Sequence, residues 1–91
     1  MKMQTLGERV RPQTLGDKLD ETMRLRAHTP ETAARVLGVA PTEVVLWASD
    51  RELPGGSHHT ALGSYLEIDE RALRGLLLRS QMRLAQWRIR D

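Results

Sequence analysis

Three histidines, His28, His58 and His59, and the acidic run Glu67, Asp69 and Glu70 are the side chains of this 91-residue chain that could do acid–base or metal chemistry. Neither set is built for it. His58 and His59 are adjacent in a glycine-flanked stretch, and a metal needs three or four convergent ligands, which an adjacent pair does not supply. The carboxylates fall where a helix begins, so they read as its acidic first turn. There is no cysteine, hence no thiolate nucleophile, disulfide or zinc-thiolate site. No Gly-rich phosphate loop and no nucleophile–base pair at a recognisable spacing is present. The expectation is a binding protein that is not an enzyme and holds no metal or cofactor, with the histidines in solvated loops or against phosphate.

Composition sets what kind of elements must position any site. Apolar residues make up 40% of the chain, with no Phe, one Tyr and two Trp. One small core of Leu, Val, Ala, Met and Trp is what this length supports, and those residues favour packed helices. No apolar run approaches the roughly 20 residues of a membrane span, and the amino terminus lacks a signal peptide's apolar centre, so a cytoplasmic location is expected. The net charge of +2 is unevenly spread: residues 1–30 carry six basic and four acidic groups, residues 31–60 two and four, residues 61–91 six and four. The basic carboxyl-terminal third reads either as a solvated face or as a surface for anionic partners.

Residues 1–13, set off by Pro12, read as an amino-terminal arm, partly disordered, ahead of a single domain over 14–91. "TLGERV" and "TLGDKL" echo each other but are too short for a solenoid repeat. Leu15, Leu19, Met23 and their neighbours recur at helical spacing, which predicts a helix over 15–26. In "HTPETAARVLG", Thr29 can cap, Pro30 opens the first turn and Gly38 ends the helix. "APTEVVLWASD" opens another helix at Pro41, with Ala40 a poor cap and Glu43 near the positive end. "ELPGGSHHTALG" breaks regular structure, and "SYLEID" reads either as the last strand of a small hairpin or as a helix start. A final helix is expected over about 69–90. The fold class is therefore all-α, or mainly α with a small hairpin wing.

Two helices joined through Gly38, with the small Ala34 permitting close approach and Val39, Val44 and Trp47 between them, make a helix-turn-helix over about 29–50. Residues 15–54, "LGDKLDETMRLRAHTPETAARVLGVAPTEVVLWASDRELP", resemble the Xre/Cro-repressor family, through Leu15-Gly16-Asp17-Lys18-Leu19, Thr29, Glu31, Ala34, Leu37-Gly38-Val39, Val44, Trp47, Arg51 and Pro54. The back half is also similar to the winged helix-turn-helix of MerR-like regulators and phage excisionases, with Ser57 to Ile68 as the wing and the histidines near its tip. Both resemblances imply a small DNA-binding transcriptional regulator or recombination accessory protein of a bacterium, phage or mobile element. They imply a duplex-contacting set of Thr29, Thr42, Glu43, Val45, Leu46, Ser49, Arg51, His58 and His59, with the arginines of the last helix adding phosphate contacts.

The chain departs from both of these family patterns where sequence is read. At about 100° per residue, Val44, Trp47 and Ala48 fall on one side of the third helix and Thr42, Val45, Leu46 and Ser49 on the other. Major-groove readers commonly use Arg for guanine and Asn or Gln for adenine. Here thymine-methyl contacts from Val45 and Leu46, a hydrogen bond from Thr42 or Ser49, and acceptance from cytosine by Glu43 are what remains. Pro30 and Ala40 replace a Gln and a Ser common in the Xre pattern, and Tyr65-Leu66-Glu67 replaces the usual basic wing. The competing reading is a helix-turn-helix scaffold repurposed as an antiactivator or inhibitor, binding a protein through Val45 and Leu46.

On the last helix, Leu73, Leu76, Leu77, Ser80, Leu84 and Trp87 share a core-facing side, while Leu78, Met82, Ala85 and Ile89 make a second stripe opposite. The second stripe predicts a homodimer or higher oligomer through this helix.

Overall fold

The computed structural model describes residues 13–90. Most of the expected amino-terminal arm, residues 1–12, lies outside the described residues, as does Asp91. Five α-helices are present among them, with no strand: α1 (Leu15–Leu25), α2 (Pro30–Leu37), α3 (Pro41–Ala48), α4 (His59–Leu66) and α5 (Glu70–Arg90).

Each helix end has a chemical cause. α1 opens on a capping box in which the Thr14 hydroxyl accepts from Asp17 N–H and the Asp17 carboxylate accepts from Thr14 N–H, both at 3.1 Å. Thr29 caps α2 by accepting from Thr32 N–H, Pro30 fills the first turn, and Gly38 leaves the helix in the left-handed region at φ 74°. α3 has only half a capping box: Glu43 accepts from Ala40 N–H at 3.2 Å, and Ala40 has no side-chain oxygen to return the bond.

The core gathers one face of every helix. Leu15, Leu19 and Met23 of α1 meet Ala33, Ala34 and Leu37 of α2, Val44 and Trp47 of α3, Leu62, Tyr65 and Leu66 of α4, and Leu73 and Leu76 of α5. Ala33 and Ala34 are fully buried, and their small side chains let α2 and α3 approach closely. The helix-turn-helix expected over 29–50 is thus present, with α1 ending one residue earlier than its pattern suggested and α5 starting at Glu70.

The hairpin wing is corrected. Ser57 to Ile68 contain a 3₁₀ turn, Gly56–His58, and then α4, so the architecture is all-α and the winged alignment does not describe it. Burial decides the matter: Leu62, Tyr65 and Leu66, at helical spacing, all enter the core, whereas a strand would turn one of two neighbours such as Tyr65 and Leu66 outward. α4 ends at Glu67, which takes φ 59°, and Asp69 then caps α5 by accepting from Ala72 N–H at 2.8 Å.

Candidate nucleic-acid interface

The outward face of α3 is where the sequence expected it. Val44 and Trp47 are buried against α1 and α2, while Thr42 and Ser49 are exposed and Val45 and Leu46 are 50% and 38% exposed. Gly38, half-buried Val39 and Ala40 connect α2 to α3, so an eight-residue helix with one bare side stands on a packed support.

The polar groups around that side are partly spent. The Ser49 hydroxyl faces back onto its own helix, 2.9 Å from Val45 C=O and 3.2 Å from Leu46 C=O. Its proton is committed to one of these acceptors, which reduces what it can offer a base edge. Glu43 is engaged as the cap of α3. Thr29, expected to face DNA, is occupied as the α2 cap and pairs with the Thr32 hydroxyl at 3.1 Å. The Arg51 guanidinium lies over the Trp87 ring, 4.4 Å from its centre, which anchors the cation against α5. Arg35 is exposed on α2.

The histidines do not join this face. His58 packs on the buried Trp47 ring, with ring centres 5.2 Å apart, on the inner side of α3. His59 lines a groove between α4 and α5 together with Gly63, Glu67, Ile68, Leu73 and Arg74. The position at a wing tip falls with the wing. His28 meets the Tyr65 hydroxyl at 2.8 Å, and Arg26 lies over the same tyrosine ring while pairing with Glu67 at 3.0 Å, so these side chains hold the α1–α2 connection on α4. Burial raises the Tyr65 pKa above its usual value, and the nearby Arg26 charge offsets only part of this. Among the described residues no three His, Cys, Asp or Glu side chains form a metal-holding group.

The residue that sequence reasoning missed is Asp50, which fixes the orientation of α3. Asp50 follows α3 at φ 58°, and its carboxylate is 1% exposed. One oxygen accepts from Gly16 N–H at 3.0 Å and from the Ser80 hydroxyl at 2.6 Å; the other accepts from the Thr14 hydroxyl at 2.6 Å and from Arg83 at 2.9 Å. Ser80 in turn accepts from Leu15 N–H at 2.8 Å. A buried carboxylate is tolerated when its lone pairs are satisfied and a cation is near, and both conditions hold. The first turn of α1, the end of α3 and the middle of α5 are thereby tied to one group. Gly16 is required at this junction, because a Cβ there would stand 2.6 Å from Ala48 C=O and 2.7 Å from the Asp50 carboxylate. Asp17 belongs to the same cluster: burial raises its pKa, but bonds from Thr14 and the Arg83 charge outweigh this and hold it below its ordinary value. Arg83, expected among the phosphate-binding arginines, is therefore an internal partner, and Arg79 donates to the Gln13 carbonyl.

No helix among the described residues is long and apolar enough to cross a membrane. No family model matches the chain, and no curated protein or solved structure is significantly similar to it.

Proposed function

We propose that the chain is a small DNA-binding regulator that enters the major groove with α3. The observation that carries this reading is the exposed row Thr42, Val45, Leu46 and Ser49 on a helix whose other side, Val44 and Trp47, is locked in the core. The likeness of residues 15–54 to the Xre/Cro pattern adds to it. Reading would rest on thymine methyls against Val45 and Leu46 and on Thr42, with Arg35, Arg51 and other surface cations supplying phosphate contacts. Discrimination between sequences is correspondingly modest, because no bidentate Arg, Asn or Gln projects from α3. The test is titration into labelled duplex DNA from beside the chain's own gene against a random duplex, at two salt concentrations. Preference that weakens with salt supports the reading.

The engaged Ser49 and Glu43 favour a second reading, in which the same face binds a protein through Val45 and Leu46. Replacing both with Arg separates the two. Desolvated charge would break a protein contact, whereas affinity for DNA would be retained or raised.

A further inference from the structure

Among the described residues, the inner face of α5 is taken by the core and the outer face is left uncovered. Leu78, Met82 and Ile89 are 58%, 61% and 82% exposed, and Ala85 among them is exposed as well. Their spacing alternates four, three and four residues, the pattern of a coiled-coil seam. At about 100° per residue the four side chains span an arc of only about 60°. A helix lying in a membrane surface presents a much broader apolar side. A stripe this narrow fits one facing helix, and Ala85 leaves room for it to come close.

The side chains along the seam decide which helix fits. Arg79 and Gln86 flank one edge, and Arg74, Gln81 and Arg88 flank the other. After Glu70, which pairs with Arg74 at 3.4 Å, α5 contains no carboxylate. A second copy laid on the seam, in either direction, would set arginine-bearing edges against one another, and like charges at these positions oppose pairing. This weighs against the homodimer that the stripe alone suggested. A helix with acidic edges would instead meet Arg88 and the Glu70-paired Arg74 along one side, and along the other Arg79, which keeps its charge while donating to the Gln13 carbonyl.

We propose that the outer face of α5 is a docking seam for one amphipathic helix of another protein, with apolar residues at heptad spacing and Glu or Asp on both edges. This interaction uses a different face from the proposed DNA contact and needs no nucleic acid.

The test uses the full chain and two synthetic three-heptad peptides that share Leu and Ile seam positions and carry either Glu or Lys along both edges. Binding is followed by calorimetry at low and high salt, and the protein alone by sedimentation. The expected result is a monomeric protein that binds the Glu peptide, more weakly at high salt, and not the Lys peptide. Met82→Glu should weaken that binding at least about tenfold by placing a charge in the seam. Arg74→Glu combined with Arg88→Glu should shift preference toward the Lys peptide. All three positions are exposed, so circular dichroism and the urea midpoint should stay near wild type. Equal binding of both peptides, binding of neither, Glu-peptide binding indifferent to Met82→Glu, or a dimer of the protein alone that Met82→Glu dissolves would each overturn the proposal.

Discussion

The Ser80 hydroxyl lies 2.6 Å from the Asp50 carboxylate, both 1% exposed, so a buried hydrogen bond joins the end of α3 to the middle of α5. Asp50→Ala would leave Thr14, Ser80 and Gly16 N–H without their acceptor and Arg83 without its closer carboxylate partner. A loss of about 3–5 kcal/mol is expected, in the range for breaking a buried pair. Ser80→Ala, which removes one donor and leaves Leu15 N–H unsatisfied, should cost less, about 1–3 kcal/mol. Urea denaturation of the two variants checks the order; an Asp50→Ala midpoint equal to wild type would remove Asp50 from the centre of the fold.

Gly16→Ala tests the same junction from the side of α1. A methyl group cannot stand 2.6 Å from Ala48 C=O, so backbone must shift. The expected cost is about 1–3 kcal/mol, the range for overpacking, despite alanine's better helix propensity. Thermal melts should show Gly16→Ala below wild type, whereas Gly75→Ala, with nothing nearer than 3.6 Å to its added Cβ, should melt at or above wild type.

The shifted pKa values of Asp17 and Tyr65 predict losses of stability at opposite ends of the pH scale. Asp17 is held below its ordinary value in the folded chain, so its contribution is present above the usual carboxylate range and is lost as pH falls through the folded value. Tyr65 is raised, so its contribution is present below the usual tyrosine value of about 10 and is lost as pH rises through the folded value. Urea midpoints across pH should show the acid loss reduced in Asp17→Asn and the alkaline loss reduced in Tyr65→Phe. A pH dependence identical to wild type in both would contradict the assignment.

Much of this arrangement was legible in the sequence because it is local. Thr29 with Pro30, Pro41, and Gly38 mark the ends of α2 and α3, and the inward Val44 and Trp47 follow from helical spacing. The stretch between Pro54 and Asp69 was not legible. Gly55, Gly56 and Gly63 weaken a helical pattern, and α4 is held by Leu62, Tyr65 and Leu66 meeting distant parts of the chain. Asp50 escaped for the same reason: its partners are Thr14, Gly16, Ser80 and Arg83, far from it in sequence. One signal did point to it. Ser80 falls among Leu73, Leu76, Leu77 and Leu84 on the inward side of α5, and a polar residue there must find a buried partner. Arg83 read as a surface cation, and His58 as a loop residue, until Asp50 and Trp47 are seen against them.

Arg51 lies over the Trp87 ring and is proposed to contact phosphate, and two substitutions separate these roles. Arg51→Lys keeps the charge but loses the planar stacking on Trp87, so it should lower stability slightly while preserving most salt-sensitive affinity for DNA. Arg51→Ala should reduce that affinity and its dependence on salt together. Parallel melting curves and DNA titrations of the two variants distinguish these outcomes.

The most direct measurement of the proposed function is titration of the protein into duplex DNA from beside its own gene and into a random duplex, at low and moderate salt, with Val45→Arg/Leu46→Arg alongside. Salt-sensitive preference for the first duplex, with affinity retained or raised in the double variant, is the expected result. Absence of binding to either duplex at low salt would contradict DNA recognition by α3 and leave Val45 and Leu46 as a protein-binding surface.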